Sequence, residues 1–388
     1  DGVLHRHDVG VARLVDALDH GGQGGGLARA GGAGHEDEAV LVTRVGGKVC
    51  ACGNECPHYG GPLGDGVLRD GTVRCPYHNA AFSLPEGKLV TGPAIDDLPR
   101  YSIREEDGAV FLGASQPAEI AMPEGSDERS VVIIGAGAAA GACAESLRKE
   151  GFAGAITMLS AEPYGPYDRP MLSKAVISGN APAGAAQLRD DAFYDRLKIT
   201  LKGNDPVTSV DAEKKTVTTE SGATYSANWI LLASGSQPRM LDLPGVELEN
   251  VFTLRSRDDA EAITGAAEGA KRAVVIGANF IGMETAAELK KRGLDVYVVE
   301  PQEEPMASVF GPEVGKRLRR MHESEGVYFH LGCKPSSLGG AKCVESVTLD
   351  DGNELAADLV VIGVGVTPVL GFVRTVTRLV RVRHAASQ

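Results

Sequence analysis

Two short motifs set the tightest limit on how this chain can fold. Cys56-Pro57-His58 is followed, after sixteen residues, by Cys75-Pro76-Tyr77-His78. Two thiolates and two imidazoles make a four-ligand set for a tetrahedral zinc ion or for a two-iron cluster of mixed ligation. Zinc sites more often draw two cysteines from one motif and two histidines from the other. Here each motif pairs one cysteine with one histidine. That distribution suits a cluster to which each loop gives a sulfur for one iron and a nitrogen for the other. Short β-type runs flank the motifs: Ala39–Val45 and Lys48–Cys52 before them, Val110–Leu112 after, with glycine turns between.

Composition narrows the remainder. Hydrophobic residues are 43% of the 388 and charged residues 23%, which excludes collagen-like, coiled-coil and wholly disordered chains. At roughly 100–200 residues per domain, two or three domains are expected. Lysine plus arginine (39) against aspartate plus glutamate (52) leaves −13, so no broad nucleic-acid surface is expected. No run approaches the ~20 apolar residues of a membrane span; Val131–Ala144 comes nearest and is too glycine-rich. Seven cysteines over this length are not a disulfide scaffold. Cys50 and Cys52 alternate on a strand and, like Cys143, Cys333 and Cys343, read as small buried hydrophobes. The chain opens at Asp1 without a signal-like segment, although a leader ahead of it stays open, and the expected location is cytoplasmic.

Residues 1–38 are glycine-rich, without periodicity, and are expected to be irregular. Residues 39–113 form the β-type domain, and 114–129, polar and proline-bearing, reads as a linker. The texture then changes to β-α-β. Val131–Ile134 reads as a strand, Ala138–Glu150 as a helix and Ile156–Leu159 as a strand. Ala273–Ile276, Phe280–Arg292 and Asp295–Val299 repeat the order. Further strands are expected at Thr216–Thr219 and Tyr225–Leu232, and a helix at Leu318–Glu325.

Each unit carries a dinucleotide turn. In the first, Gly135, Gly137 and Ala140 give G-x-G-x-x-A: a tight turn, backbone access to a pyrophosphate, and close helix–strand packing. The pyrophosphate would rest on the helix N-terminus. Glu162, 22 residues past Ala140, is placed to hold a ribose. In the second, Gly277, Asn279 and Gly282 give G-x-N-x-x-G. Asparagine tolerates positive φ better than most residues but brings a side chain close to any phosphate, so weakened binding is expected. Glu300 ends the next strand and can accept from both ribose hydroxyls. With Glu303 and Glu304 repelling a 2′-phosphate, NADH is preferred over NADPH.

The stretches Cys56–Pro62 (CPHYGGP), Cys75–Phe82 (CPYHNAAF) and Thr91–Ala94 (TGPA) resemble a Rieske domain. That resemblance implies a [2Fe–2S] cluster with Cys56 and Cys75 on one iron and His58 and His78 on the other. Respiratory Rieske proteins brace these loops with a disulfide; Gly61 and Tyr77 stand at those places here, which implies the ferredoxin type and the lower part of the ~−150 to +300 mV Rieske range. Tyr167–Lys174 (YDRPMLSK) and Leu232–Arg239 (LASGSQPR) resemble FAD-dependent, NAD(P)H-linked reductases of the ferredoxin-reductase and apoptosis-inducing-factor group. In that group the acid of the first unit stands one place earlier, where this chain has Ala161. The resemblance implies that Arg169, Lys174, Ala233 and Gly235 lie against FAD. It further implies that Glu284 pairs with Lys174 beside the flavin as the catalytic pair, and that Gly363 and Gly365 lie near the nicotinamide.

Together these features identify the chain as similar to Rieske-bearing, apoptosis-inducing-factor-like reductases. The implied fold is multidomain: a small all-β Rieske domain, then two α/β Rossmann-like domains, FAD-binding at 130–242 and NAD-binding at 243–366. The implied activity carries electrons from NADH through FAD to the cluster, and on to an acceptor protein or small acceptor. In that family the chain next returns to the FAD domain and ends in an interface domain. The residues 367–388 match neither, which makes them an atypical stub, with the interface domain missing and the FAD site incomplete. Two rivals stand beside this reading. A disulfide or peroxide reductase would need a redox cysteine where Ser173 stands, and a non-enzymatic redox sensor would use cofactor state to change partner binding.

Overall fold

The computed structural model describes residues 10–12, 25–29, 39–106 and 109–373. The chain divides into two compact units, Asp1–Ala121 and Met122–Gln388, the division falling within the polar, proline-bearing stretch.

The first unit is all antiparallel sheet. Six strands run in the order Gly10–Ala12, Ala109–Gln116, Arg100–Glu106, Lys48–Gly53, Ala39–Val45, Gly25–Arg29. The region 1–38, expected to be irregular, thus contributes both outer strands, whose sequences carry too little alternation to show it. The strand Ala39–Val45 buries both faces. Val40 and Val42 join Ala51, Tyr101, Val110 and Leu112, whereas Leu41 points the other way with Cys52. That second face packs Leu63, Val73, Phe82, Leu84 and Leu98 around Cys56 and Cys75. A four-stranded meander, Val67–Arg69, Thr72–Arg74, Ala81–Ser83 and Leu89–Thr91, carries the second motif between its second and third strands.

The second unit repeats one plan twice. A parallel sheet, ordered Ile199–Lys202, Ala155–Leu159, Ser130–Ile134, Trp229–Leu232, is crossed by the helix Ala138–Lys149 and followed by three antiparallel strands at 207–226. The second copy has a five-stranded parallel sheet, ordered Val251–Thr253, Leu359–Ile362, Arg272–Ile276, Asp295–Glu300, Val327–Leu331, with the helix Phe280–Lys291 and three antiparallel strands at 335–356. Its strand Leu359–Ile362, paired on both edges, is buried throughout, as parallel strands covered on both faces are. The run expected as one strand over 225–232 is two, Thr224–Ser226 and Trp229–Leu232, in different sheets. The start of the expected stub is packed rather than loose. Val366–Pro368 pairs with Ser236–Pro238, and Phe372 is buried with Val132, Ile134 and Leu159 of the first copy. The remaining stub residues, 374–388, lie outside the described residues. No helix among the described residues is long and apolar enough to cross a membrane.

Candidate functional site

The two cysteine loops are built alike. In each, the cysteine N–H donates to the carbonyl five residues on, Cys56 to Gly61 at 2.9 Å and Cys75 to Ala80 at 2.8 Å. In each, the cysteine carbonyl accepts from the N–H four residues on, Gly60 at 2.9 Å and Asn79 at 3.1 Å. That fourth residue turns the chain at φ +66° in both loops, a conformation open to glycine and asparagine. The histidine stands two residues after the cysteine in one loop and three in the other.

The outcome is two like pairs. Cys56 and Cys75 are buried in one core cluster. His58, half-buried, and His78, exposed, bring their Nδ1 atoms to 3.2 Å with the rings nearly perpendicular. Among the described residues no three His, Cys, Asp or Glu side chains form a cage for a single ion; the sulfurs face the core and the nitrogens the surface. This donor set fits a two-iron cluster with one iron on each pair. Burial pushes the Cys56 thiol above its usual pKa, and Cys75 pushes the same way; the backbone N–H groups of His58 and Tyr59, donating to the Cys56 sulfur, pull it down. Such donors favour a sulfur carrying negative charge, the form a metal needs. All seven cysteines are free. A Cβ on Gly61 would lie 2.7 Å from the Cys75 sulfur and 3.1 Å from the Tyr77 ring, so the aromatic packs where a side chain at 61 would stand.

In the first nucleotide unit, Gly135 sits at φ +114°, and a Cβ there would run into the Ala233 carbonyl. Gly135 and Ala233 therefore meet just beyond the C-terminal ends of adjacent parallel strands. Gly137 caps the helix with no side-chain bond and open space around it, while Ala140 is fully buried. Gly235, at φ +68°, turns the chain beyond Ala233. Glu162 and Arg169 are joined to each other, with Arg169 Nη2 donating to Glu162 Oε1 at 2.9 Å. Arg169 Nη1 donates to the Tyr167 hydroxyl and the Arg255 carbonyl, each at 2.6 Å, and the Tyr167 hydroxyl donates to Glu162 Oε2 at 2.6 Å. Burial, then the Glu162 bond, push the Tyr167 hydroxyl far above its usual pKa. Tyr167 lies inside the quoted YDRP stretch but was not singled out. Arg255 carries no local signal, because only the fold brings it there.

Lys174 Nζ lies 2.9 Å from Glu284 Oε1, bringing the two nucleotide units together through the expected pair. The other oxygen, Oε2, accepts from the Ser173 hydroxyl at 2.5 Å. Ser173 and Lys174 lie in a wide helical turn, Leu172–Val176, of the i→i+5 type, a geometry frequent at functional sites.

In the second unit, Gly277 sits at φ +104°, with no room for a side chain against the Gly363 carbonyl, and Gly282 has none against the Gly277 carbonyl. Asn279 departs from expectation: its φ is −88°, so no left-handed backbone calls for it. Its side chain instead caps the helix, Oδ1 accepting from the Gly282 N–H at 3.2 Å and Nδ2 donating to the Gly363 carbonyl. Glu300 is buried and accepts from the N–H groups of Ala278 at 2.7 Å and Gln302 at 3.1 Å. It lines a cavity of about 530 Å³ together with Gly277, Asn279, Met306, Lys334 and Gly363. The repulsion expected from Glu304 is cancelled, because both of its oxygens are held by Arg319, from Nε at 2.8 Å and Nη2 at 3.0 Å. Gly365 is exposed, at φ +106°, its carbonyl accepting from the Arg239 N–H. The outlying cysteines are only partly buried: Cys333 donates to the Leu331 carbonyl and Cys343 to Glu249, corrections to their reading as core hydrophobes.

Residues 129–377 match the pyridine nucleotide-disulphide oxidoreductase family, and residues 28–102 match the Rieske [2Fe-2S] domain. Human apoptosis-inducing factor 3 is 37% identical over 349 residues, covering 86% of this chain and 57% of that protein. The ferredoxin–NAD(+) reductase subunit of the benzene 1,2-dioxygenase system of Pseudomonas putida is 36% identical over 238 residues, 61% of this chain and 58% of that one. Putidaredoxin reductase, solved in covalent complex with putidaredoxin, aligns with a TM-score of 0.59 at 30% identity, over 62% of this chain and 59% of that one. The chain thus spans somewhat over half the length of the curated relatives it matches.

Proposed function

The chain belongs to the pyridine nucleotide-disulphide oxidoreductase family, with a Rieske [2Fe–2S] domain ahead of the reductase region, and from that premise we propose that it is an NADH-dependent flavoprotein reductase that passes electrons through FAD and that cluster to a one-electron acceptor. The observation that carries this reading is the Lys174–Glu284 contact, which joins the two nucleotide-binding units at 2.9 Å. FAD, when bound, supplies the conversion between a two-electron donor and a [2Fe–2S] cluster that takes electrons singly. The protein's own residues do the positioning. The open helix N-terminus at Gly137 receives the FAD pyrophosphate, and the Tyr167–Glu162–Arg169 network fixes the orientation of the Arg169 guanidinium. Lys174, steadied by Glu284, presents a positive charge where electron density builds.

At the second unit the Glu300 carboxylate keeps a free lone pair on each oxygen beyond its backbone bonds. It accepts from ribose hydroxyls and disfavours a 2′-phosphate, so NADH is the donor. Cys56 and Cys75 hold one iron, His58 and His78 the other. The acceptor class follows from relatives named for ferredoxin and solved with putidaredoxin: a small iron–sulfur protein that takes one electron at a time.

Anaerobic addition of NADH to protein loaded with FAD and cluster tests the reading. Bleaching of both the flavin and the cluster absorption bands is expected. A flavin that stays oxidised under excess NADH overturns the proposal.

A further inference from the structure

The two glycine turns provide a comparison within one chain. Gly137 and Asn279 hold the same place, the residue capping the helix that follows, with nearly identical backbone: φ −86°, ψ −174° and φ −88°, ψ −171°. Neither conformation nor packing within the protein therefore decides between glycine and asparagine here. A Cβ at 137 would meet nothing within 4 Å, and no side chain caps that helix. At 279 the space is taken by the side chain. Its Oδ1 accepts from Gly282, the third N–H of the helix Phe280–Lys291, and its Nδ2 is tied to the Gly363 carbonyl beyond the last parallel strand. The oxygen of a neutral amide thus occupies the positive end of the helix dipole and uses one of the donors an anion would seek.

We propose that Asn279 is a built-in competitor for the pyrophosphate of the nicotinamide nucleotide, displaced on binding, which keeps the second dinucleotide exchangeable while the first turn offers all its donors. The inference rests on the reading of the second unit as the NADH site. It is distinct from a role of Asn279 as a phosphate ligand, for which removal of the amide has the opposite effect.

The test uses NAD+, which binds without reducing flavin, titrated calorimetrically into the full FAD-loaded chain. Asn279→Gly is expected to tighten NAD+ about 3- to 10-fold, the span of one net hydrogen bond, and to slow its dissociation. ADP-ribose, which keeps the pyrophosphate, gains equally, whereas adenosine and the FAD content are unchanged. Asn279→Asp keeps the cap, adds a negative charge and weakens NAD+. If Asn279→Gly does not fold, Asn279→Ala removes the same amide and is expected to shift NAD+ in the same direction. Saturable binding with no gain in the amide-free variants overturns the inference alone. No saturable NAD+ binding to wild type or variants overturns the nucleotide-site reading, and the inference falls with it.

Discussion

Gly61 has no freedom to become anything larger. Its missing side chain is what lets the Cys75 sulfur and the Tyr77 ring close over the first loop. Gly61→Ala is expected to cost about 1–3 kcal/mol of overpacking, concentrated at the cysteine pair. Iron and acid-labile sulfide per chain, measured after anaerobic reconstitution, should fall clearly below wild type; full retention of both would show that the loop yields without strain. Cys52 presents the opposite case. Fully buried, its thiol is pushed up to about 12, by burial first and by Cys50 second, so it carries almost no thiolate at pH 8. Iodoacetamide labelling of native protein at that pH, followed by peptide mass analysis, is expected to leave Cys52 unmodified. At this scale the sequence was most legible where chemistry demands a residue type. The four proposed cluster ligands, Gly135, Gly277 and the Lys174–Glu284 pair all needed their own identities. What escaped were groups recruited by folding, such as Arg255, and the way space is shared, such as the packing of Tyr77 on Gly61, two positions the sequence marked only by a missing disulfide.

Strands and helices were legible in proportion to their periodicity. The repeated β-α-β units are flanked by glycine and have uninterrupted apolar strands, and their helix and strand limits fall within a residue or so of expectation. The outer strands Gly10–Ala12 and Gly25–Arg29 were not, because they exist through pairing with Ala109–Gln116 and Ala39–Val45 rather than through patterning of their own. Pairing of distant elements also makes an acid test. Asp358 Oδ2 accepts from the N–H groups of Lys271 and Arg272, both at 2.9 Å, and Oδ1 from Arg272 Nη2 at 2.7 Å, tying the head of Arg272–Ile276 to that of Leu359–Ile362. Arg272 first, assisted by those N–H groups against the burial cost, holds the Asp358 carboxyl at about 2. A folded-state pKa below the unfolded value of about 4 means the stabilisation is present above pH 4 and is lost as pH falls from there towards 2. Allowing for partial solvent screening, Asp358→Asn is expected to cost about 1–2 kcal/mol at neutral pH. Urea denaturation of both proteins between pH 7 and pH 3 checks this: the gap should narrow on acidification, and a pH-independent gap would assign it to packing instead.

The whole molecule divides so that each unit closes its own core. In Asp1–Ala121 the two faces of the strand Ala39–Val45 are covered from within the unit, and the proposed cluster ligands come from loops seated on that same core. Nothing in the donor set Cys56, His58, Cys75 and His78 is borrowed from beyond residue 121. In Met122–Gln388 the two nucleotide halves are instead interlocked. Lys174 meets Glu284, Tyr164 donates to Asp258, and Phe372 returns from the end of the second half to pack on the sheet of the first. Separate cores with separate ligand sets should separate in the test tube. Residues 1–121 produced alone are expected to assemble the cluster, shown by the electron paramagnetic resonance signal of the dithionite-reduced fragment. A cut between residues 242 and 243 should leave neither half of the second unit able to hold its nucleotide, because each half loses part of its packing. A fragment 1–121 that takes up no iron under conditions that load the full chain would mean that the first unit cannot assemble the cluster by itself.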